Sequence, residues 1–142
     1  MNSNTDTVMS IYAAFGRGDV AFILDQLDDD IQWDQGVRDT GLSYLQPGVG
    51  KDHVVRFFTK LASQIELTTF EPQTPCASDD TVMVAVREVA RNLSTGAEIP
   101  EDLAVHIWRF GADGKVVSFR HVADWATHET AARSVPATAA NR

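Results

Sequence analysis

The chain is short of cysteine and of long apolar runs, and both shortages exclude classes of protein. Cys76 is the only cysteine in 142 residues, which excludes an intramolecular disulfide and a cysteine-based zinc site and suits a reducing compartment. The opening residues, MNSNTDTVMS, lack the basic start and apolar core of a signal peptide, and no later segment approaches the roughly 20 apolar residues of a membrane span. We therefore expect a cytoplasmic protein with no membrane partner.

Basic residues are scarce as well. The chain has 12 lysines and arginines against 20 aspartates and glutamates, a net charge of -8 that repels nucleic acid phosphates. The sequence also lacks a glycine-rich phosphate loop and any pair of histidines or carboxylates at a convincing metal-binding spacing. We expect neither nucleic acid as a partner nor a metal or other cofactor.

What is present fits one globular domain, with 44% hydrophobic and 23% charged residues. No internal repeat or second domain is visible. The end of the chain, THETAARSVPATAANR, has few bulky apolar residues. We expect a single domain over residues 1–126 and a partly disordered C-terminal tail over residues 127–142.

Apolar periodicity predicts helices first and strands later. Val8, Ile11, Tyr12 and Phe15 have the spacing of one helix face. A second helix is predicted after Asp19, ending in the acidic run 28–30, then a short strand through 31–35 and a third helix from about residue 52. Apolar and polar residues then alternate, which predicts an antiparallel meander over 66–74, 80–93, 98–110 and 115–125. This order is typical of an α+β domain.

Three stretches resemble one known family. IYAAFGRGDVAFILDQLDDDIQW resembles the opening of the NTF2-like superfamily, particularly its SnoaL-like and ketosteroid-isomerase-like branch. GKDHVVRFF is similar to the third helix of that family, and HIWRFGADGKVVSFRHVADW to its closing hairpin. The resemblance implies a cone in which N-terminal helices pack on a curved, mostly antiparallel sheet and enclose an apolar pocket. It also implies a homodimer formed through the outer sheet face and a small apolar molecule as ligand.

The resemblance also implies which side chains face the pocket, because family strands point alternate residues inward. Arg120 and Asp124 then face outward, beside the partner. The inward residues of the strands are Trp33, Gln35, Val84, Val86, Glu88, Ala104, His106, Trp108, Phe119, His121 and Ala123. We expect the substrate-binding set to be Trp33, Gln35, Tyr12, Phe57, Trp108 and Phe119. Few polar groups among many apolar ones is the pattern of a small-molecule site.

The steroid-isomerase positions of the family are not matched in this sequence. The general-base position falls on Gln35, whose amide takes no proton near neutral pH, although Asp34 lies one residue away. The oxyanion tyrosine falls nearest Ile11, with Tyr12 next to it, and the protonated aspartate falls on His106. The steroid-isomerase mechanism is therefore not predicted.

Other branches of the family fit the sequence differently. The Asp-Arg-Asp arrangement of limonene-epoxide-hydrolase-like members falls near Val86, Glu88 and His121, so epoxide hydrolysis is open only in altered form. SnoaL-like polyketide cyclases combine an acidic residue with histidines, roles that Glu88, His106 and His121 could fill. Our hypothesis makes His121 the base or the group that activates water, with Glu88 orienting it and His106 donating to a carbonyl oxygen.

Other interpretations of these residues remain open. A histidine on a half-apolar strand is often structural, and a register slip of one residue would turn Glu88 outward, toward Arg87, Arg91 or Arg109. The aromatic residues could equally fill a core. His53 and His128 receive no role. The alternative to an enzyme is a non-catalytic module that binds a ligand or a partner.

Overall fold

The computed structural model describes residues 3–134. Three of its helices lie in the first half of the chain, and most of its strands follow them. The chain begins with α1 (Ser3–Gly16) and α2 (Val20–Asp25), then β1 (Leu27–Trp33), β2 (Gly48–Val49) and α3 (Lys51–Gln64). The remaining elements are β3 (Ile65–Pro72), β4 (Cys76–Ser78), β5 (Thr81–Asn92), β6 (Glu98–Phe110), β7 (Val116–Val122) and α4 (Trp125–Arg133).

The strands form one mostly antiparallel sheet in the order β2-β1-β7-β6-β5-β3, with β4 paired to β5. The meander of β5, β6 and β7 is the predicted one, whereas β1 pairs with β7 in parallel. The sheet is curved and unclosed, and the helices lie against its inner face. The predicted α+β class is confirmed.

Element boundaries differ from the prediction around the acidic run. Asp19 caps α2 as expected, since its side chain accepts a hydrogen bond from the backbone N–H of Phe22. The run 28–30, predicted to end that helix, instead lies in β1. The three aspartates are half-buried or exposed between buried Leu27 and Ile31, and the pairing of β1 with β2 and β7 outweighs the helix-ending signal of the acidic run.

The core lies between the helices and the inner sheet face. It combines apolar residues of α1 with those of the central strands, and its fully buried members include Val8, Ile23, Leu27, Ile31, Val54, Val82, Val84, Val86 and Val116. Burial alternates strictly along β5, as the period of two predicted. The inward parity assigned to β5, β6 and β7 therefore matches the buried face.

The outer face of the same strands carries apolar side chains in contact with solvent. Leu103 is 68% exposed, and Met83 and Val122 are both 46% exposed. Val122 pairs with Val105 across β6 and β7, so these residues belong to one continuous surface. We call Met83, Leu103, Val105, Ile107 and Val122 the outer apolar stripe.

The predicted tail requires a correction. Residues 125–133 form α4, whose N-cap is Asp124, and His128 and Ala131 on this helix are buried. The domain therefore continues past residue 126, because two buried side chains anchor a segment whose composition is weakly apolar. Residues 135–142 of the tail lie outside the described part of the chain. Between residues 3 and 134, no helix has the length and apolarity that crossing a bilayer requires.

Candidate functional site

A cavity of about 80 Å³ lies between the helices and the inner sheet face. Its wall is mainly aromatic and aliphatic, with Phe15, Phe57 and Phe58 on the helical side. Six polar or titratable side chains also reach it, namely Tyr12, Tyr44, Glu88, His106, His121 and His128. This volume is below the roughly 150 Å³ of a cavity that holds benzene. A ligand of benzene's size or larger therefore requires half-buried side chains to move.

Eight of the nine predicted site residues line this cavity: Tyr12, Trp33, Phe57, Glu88, His106, Trp108, Phe119 and His121. The prediction for Gln35 is wrong, since its side chain is exposed and donates to the carbonyl of Gly48. The cause is local. β1 ends at Trp33, and Asp34 adopts a positive φ of 54°, which interrupts the alternation before Gln35.

Glu88, His106 and Tyr12 form one polar group. Nδ1 of His106 lies 2.9 Å from the hydroxyl of Tyr12, and its Nε2 lies 3.6 Å from Oε1 of Glu88, an ion-pair distance. Trp108 Nε1 donates to the Tyr12 oxygen at 3.1 Å. Burial raises the pKa of Tyr12 above its ordinary value, so its hydroxyl keeps its proton. Glu88 thus faces His106 more directly than the predicted partner, His121.

His121 lies beside His106 and can accept a proton. It is the direct partner of His106 across β6 and β7, and the two rings meet edge to face at 4.9 Å. Burial, followed by the charges of His106 and His128, holds its pKa well below 6.5. Its Nε2 is buried and has no hydrogen-bond partner within residues 3–134. A neutral imidazole therefore faces an apolar cavity at neutral pH.

Asp34 supports His121 from outside the cavity. Its carboxylate Oδ1 accepts the backbone N–H of His121 at 2.7 Å, and its own N–H donates to the carbonyl of Phe119 at 2.8 Å. Only 1% of Asp34 is exposed, and this burial raises its pKa to about 7. Asp34 is not a base facing the ligand. It fixes the end of β7 that carries His121.

A second polar group was missed by the sequence reasoning. His128 of α4 places Nδ1 3.0 Å from the hydroxyl of Tyr44, and its Nε2 is hydrogen-bonded to Oε1 of Glu101. All three side chains are buried. The available signal was weak, because Tyr44 sits in an irregular stretch, Glu101 in a strand and His128 in a segment of tail-like composition.

The cluster of Glu88, His106 and His121 is compact, since one donor atom from each lies within 4.8 Å of the others. No metal-binding spacing in the sequence indicated this cluster, although all three residues were predicted to face the pocket from different strands. Two imidazoles and one carboxylate can exchange protons, and the same set suits a divalent cation. A chelator control is therefore part of any activity assay.

Comparisons with known proteins agree with this architecture. The profile of the SnoaL-like domain matches residues 8–119. An NTF2-like protein of unknown function from Burkholderia pseudomallei has a TM-score of 0.83 at 25% identity, covering 94% of this chain and 100% of that one. No curated protein matches the chain.

Two further solved structures share the fold at lower identity. TerC, co-crystallised with polyporic acid, has a TM-score of 0.76 at 21% identity, covering 94% of this chain and 100% of its own. A protein of Mesorhizobium loti considered a SnoaL-like polyketide cyclase has a TM-score of 0.67 at 15% identity, covering 85% and 98%. These two likenesses concern the fold alone. With the profile spanning most of the sequence, the chain belongs to the SnoaL-like domain family and has the NTF2-like fold.

Proposed function

We propose that the protein binds a small, largely apolar, oxygenated molecule in the cavity and catalyses cofactor-free acid-base chemistry on it, of the cyclase, isomerase or hydrolase type. The observation that carries this proposal is the unpartnered Nε2 of His121 in a cavity with apolar walls. A buried polar nitrogen without a hydrogen-bond partner is costly unless a ligand uses it.

The proposed roles follow from the hydrogen bonds. His121 removes a proton from carbon next to a carbonyl group, and the electron pair of the broken C–H bond moves onto the carbonyl oxygen. In the proposed tautomer of His106, Nδ1 carries the proton and donates to the Tyr12 oxygen 2.9 Å away, while Nε2 faces Oε1 of Glu88. The Tyr12 oxygen then accepts from both His106 and Trp108, which leaves its own O–H free for the ligand oxygen.

A substrate-independent assay tests the base. Base-promoted ring opening of 5-nitrobenzisoxazole breaks one C–H and one N–O bond and yields a coloured phenolate, so the wild type should accelerate it. His121→Ala should slow the reaction about 100-fold, the lower range for loss of a general base. EDTA should leave the wild-type rate unchanged. Equal rates for the wild type and His121→Ala would refute the role of His121.

The alternative is a non-catalytic binding module, favoured by the dominance of apolar residues in the cavity wall. TerC makes polyporic acid a reasonable first ligand to test. A module should bind it, or retain a co-purified molecule in native mass spectrometry, and tolerate alanine at both Glu88 and His121. Binding without any ring-opening activity would favour this alternative.

We further propose that the protein is a homodimer formed through the outer apolar stripe. Leu103, Val122 and Met83 expose apolar surface at the centre of the sheet, where a monomer would normally carry polar residues. Arg120 lies on the same outer face and would lie beside the partner.

A further inference from the structure

We propose that Tyr44, supported by His128 and Glu101, is a second hydrogen-bond donor to a ligand oxygen in the cavity. This inference rests on the proposed function and adds a group that the sequence reasoning did not include. Tyr44 and His128 line the same cavity as His121, and Tyr44 is only 1% exposed. His128 lies on α4, beyond the residues that the family profile matches.

The second group repeats the chemistry of the first. In each, a tyrosine hydroxyl contacts Nδ1 of a histidine whose Nε2 faces a glutamate: Tyr12, His106 and Glu88 in one, and Tyr44, His128 and Glu101 in the other. Glu88 and Glu101 are direct partners across β5 and β6. The two groups therefore lie side by side on one face of the sheet.

His121 lies next to both groups. The centroid of its ring lies 4.9 Å from that of His106 and 4.7 Å from that of Trp125. The Trp125 and His128 ring centroids are in turn 5.3 Å apart. A ligand that reaches Nε2 of His121 therefore lies in the cavity that both tyrosines line. This arrangement suits a ligand with two oxygen atoms, one for each hydroxyl.

The protonation of the second group determines what Tyr44 offers. Glu101 and His128 are 5% and 4% exposed, so a net charge on the pair would be costly. Oε2 of Glu101 has no hydrogen-bond partner among the described residues, which adds to the cost of a lone carboxylate. The proposed role requires the net-neutral pair with one proton in the hydrogen bond between Glu101 and Nε2 of His128 and the other on Nδ1.

Tyr44 is consequently a donor to the cavity. In the proposed tautomer, Nδ1–H of His128 donates to the Tyr44 oxygen 3.0 Å away, which leaves the hydroxyl proton of Tyr44 free to donate to the ligand. Burial, followed by the charge of Glu101, raises the pKa of Tyr44 to about 12, so the proton stays on the hydroxyl. Tyr44 contacts the ligand, whereas His128 and Glu101 act as positioning residues.

A matched pair of small probes tests this role without a known substrate. The compounds are 4-fluorophenol and fluorobenzene, which differ by one hydroxyl group, and their dissociation constants are measured by 19F NMR. Tyr44→Phe should weaken 4-fluorophenol about five-fold, the loss of one neutral hydrogen bond, and leave fluorobenzene unchanged. His128→Gln should weaken the binding of 4-fluorophenol by less than about five-fold and leave the binding of fluorobenzene unchanged.

The control addresses loosening of α4. Glu129 of α4 forms an ion pair with Arg38 at the surface, so Glu129→Gln weakens the attachment of the helix without changing the cavity wall. This variant should bind both probes as the wild type does. A Tyr44→Phe variant that binds 4-fluorophenol normally, or loses both probes equally, would overturn the inference alone. Failure of the wild type to bind either probe would overturn the proposed function and this inference together.

Discussion

At the scale of single residues, Asp34 is the most unusual carboxylate in the described part of the chain. It combines nearly complete burial with a positive φ and with hydrogen bonds to the backbone on both sides of Arg120. Aspartate and asparagine tolerate this backbone region better than most other residues. Asp34 therefore holds β7 in place at an electrostatic cost, which makes its contribution to stability dependent on pH.

Asp34→Asn should flatten that pH dependence. The pKa of Asp34 rises from 3.8 to about 7 on folding, so the folded chain holds more protons than the unfolded chain between these values. The free energy of unfolding should therefore fall as pH rises from about 4 to 7, by up to about 4 kcal/mol from this group. Asparagine keeps the acceptor for the His121 N–H and does not titrate. Urea unfolding from pH 4 to 8 should show the variant gaining stability relative to the wild type, and parallel curves would contradict the assignment.

Some of the residues that line the cavity could be placed from the sequence, and others could not. His106, His121 and Glu88 were placed correctly inside, because strict alternation on paired strands leaves only two faces. Gln35 was misplaced because the positive φ of Asp34 ends the alternation. The residue types alone did not indicate that the strand ends there. His128 was missed because its burial depends on Tyr44 and Glu101, which lie 84 and 27 residues away.

At the scale of elements, predictability follows the distance between partners in the sequence. The β6–β7 hairpin was predicted because turn residues after Phe110 separate two segments of alternating apolar and polar residues. The parallel pairing of β1 with β7 joins residues far apart and has no local signal. The same holds for α4, where long-range side-chain contacts decide the structure.

α4 yields a prediction about its cap. Asp124 accepts hydrogen bonds from the backbone N–H and the hydroxyl of Thr127, and so caps the helix that carries His128. Asp124→Ala should lower the free energy of unfolding and speed amide exchange within residues 125–133. Hydrogen exchange by mass spectrometry measures both the effect and its location. Asp19→Ala, which removes the equivalent cap of α2, is the matched control and should leave α4 protected. Unchanged exchange in α4 after Asp124→Ala would mean that His128 and Trp125 alone hold the helix.

At the scale of the whole molecule, the outer apolar stripe and the net charge act in opposite directions. Each chain carries a net charge of -8, so two copies repel each other, while burial of Leu103 and its neighbours favours association. Because salt screens the repulsion and leaves the apolar contact intact, the proposed dimer should tighten as salt is added.

Leu103→Lys tests the dimer directly. It places a positive charge at the most exposed apolar position of the stripe, where burial against a partner would be costly, and should convert the proposed dimer, of twice 15.6 kDa, to a monomer. Val55→Lys is the control, since Val55 is a 40% exposed apolar residue on α3, away from the outer sheet face. Analytical ultracentrifugation at low and high salt gives both the mass and the salt dependence. A wild type that sediments as a monomer at every salt concentration would contradict the proposed interface, and the acid-base site, which one chain contains, would be unaffected.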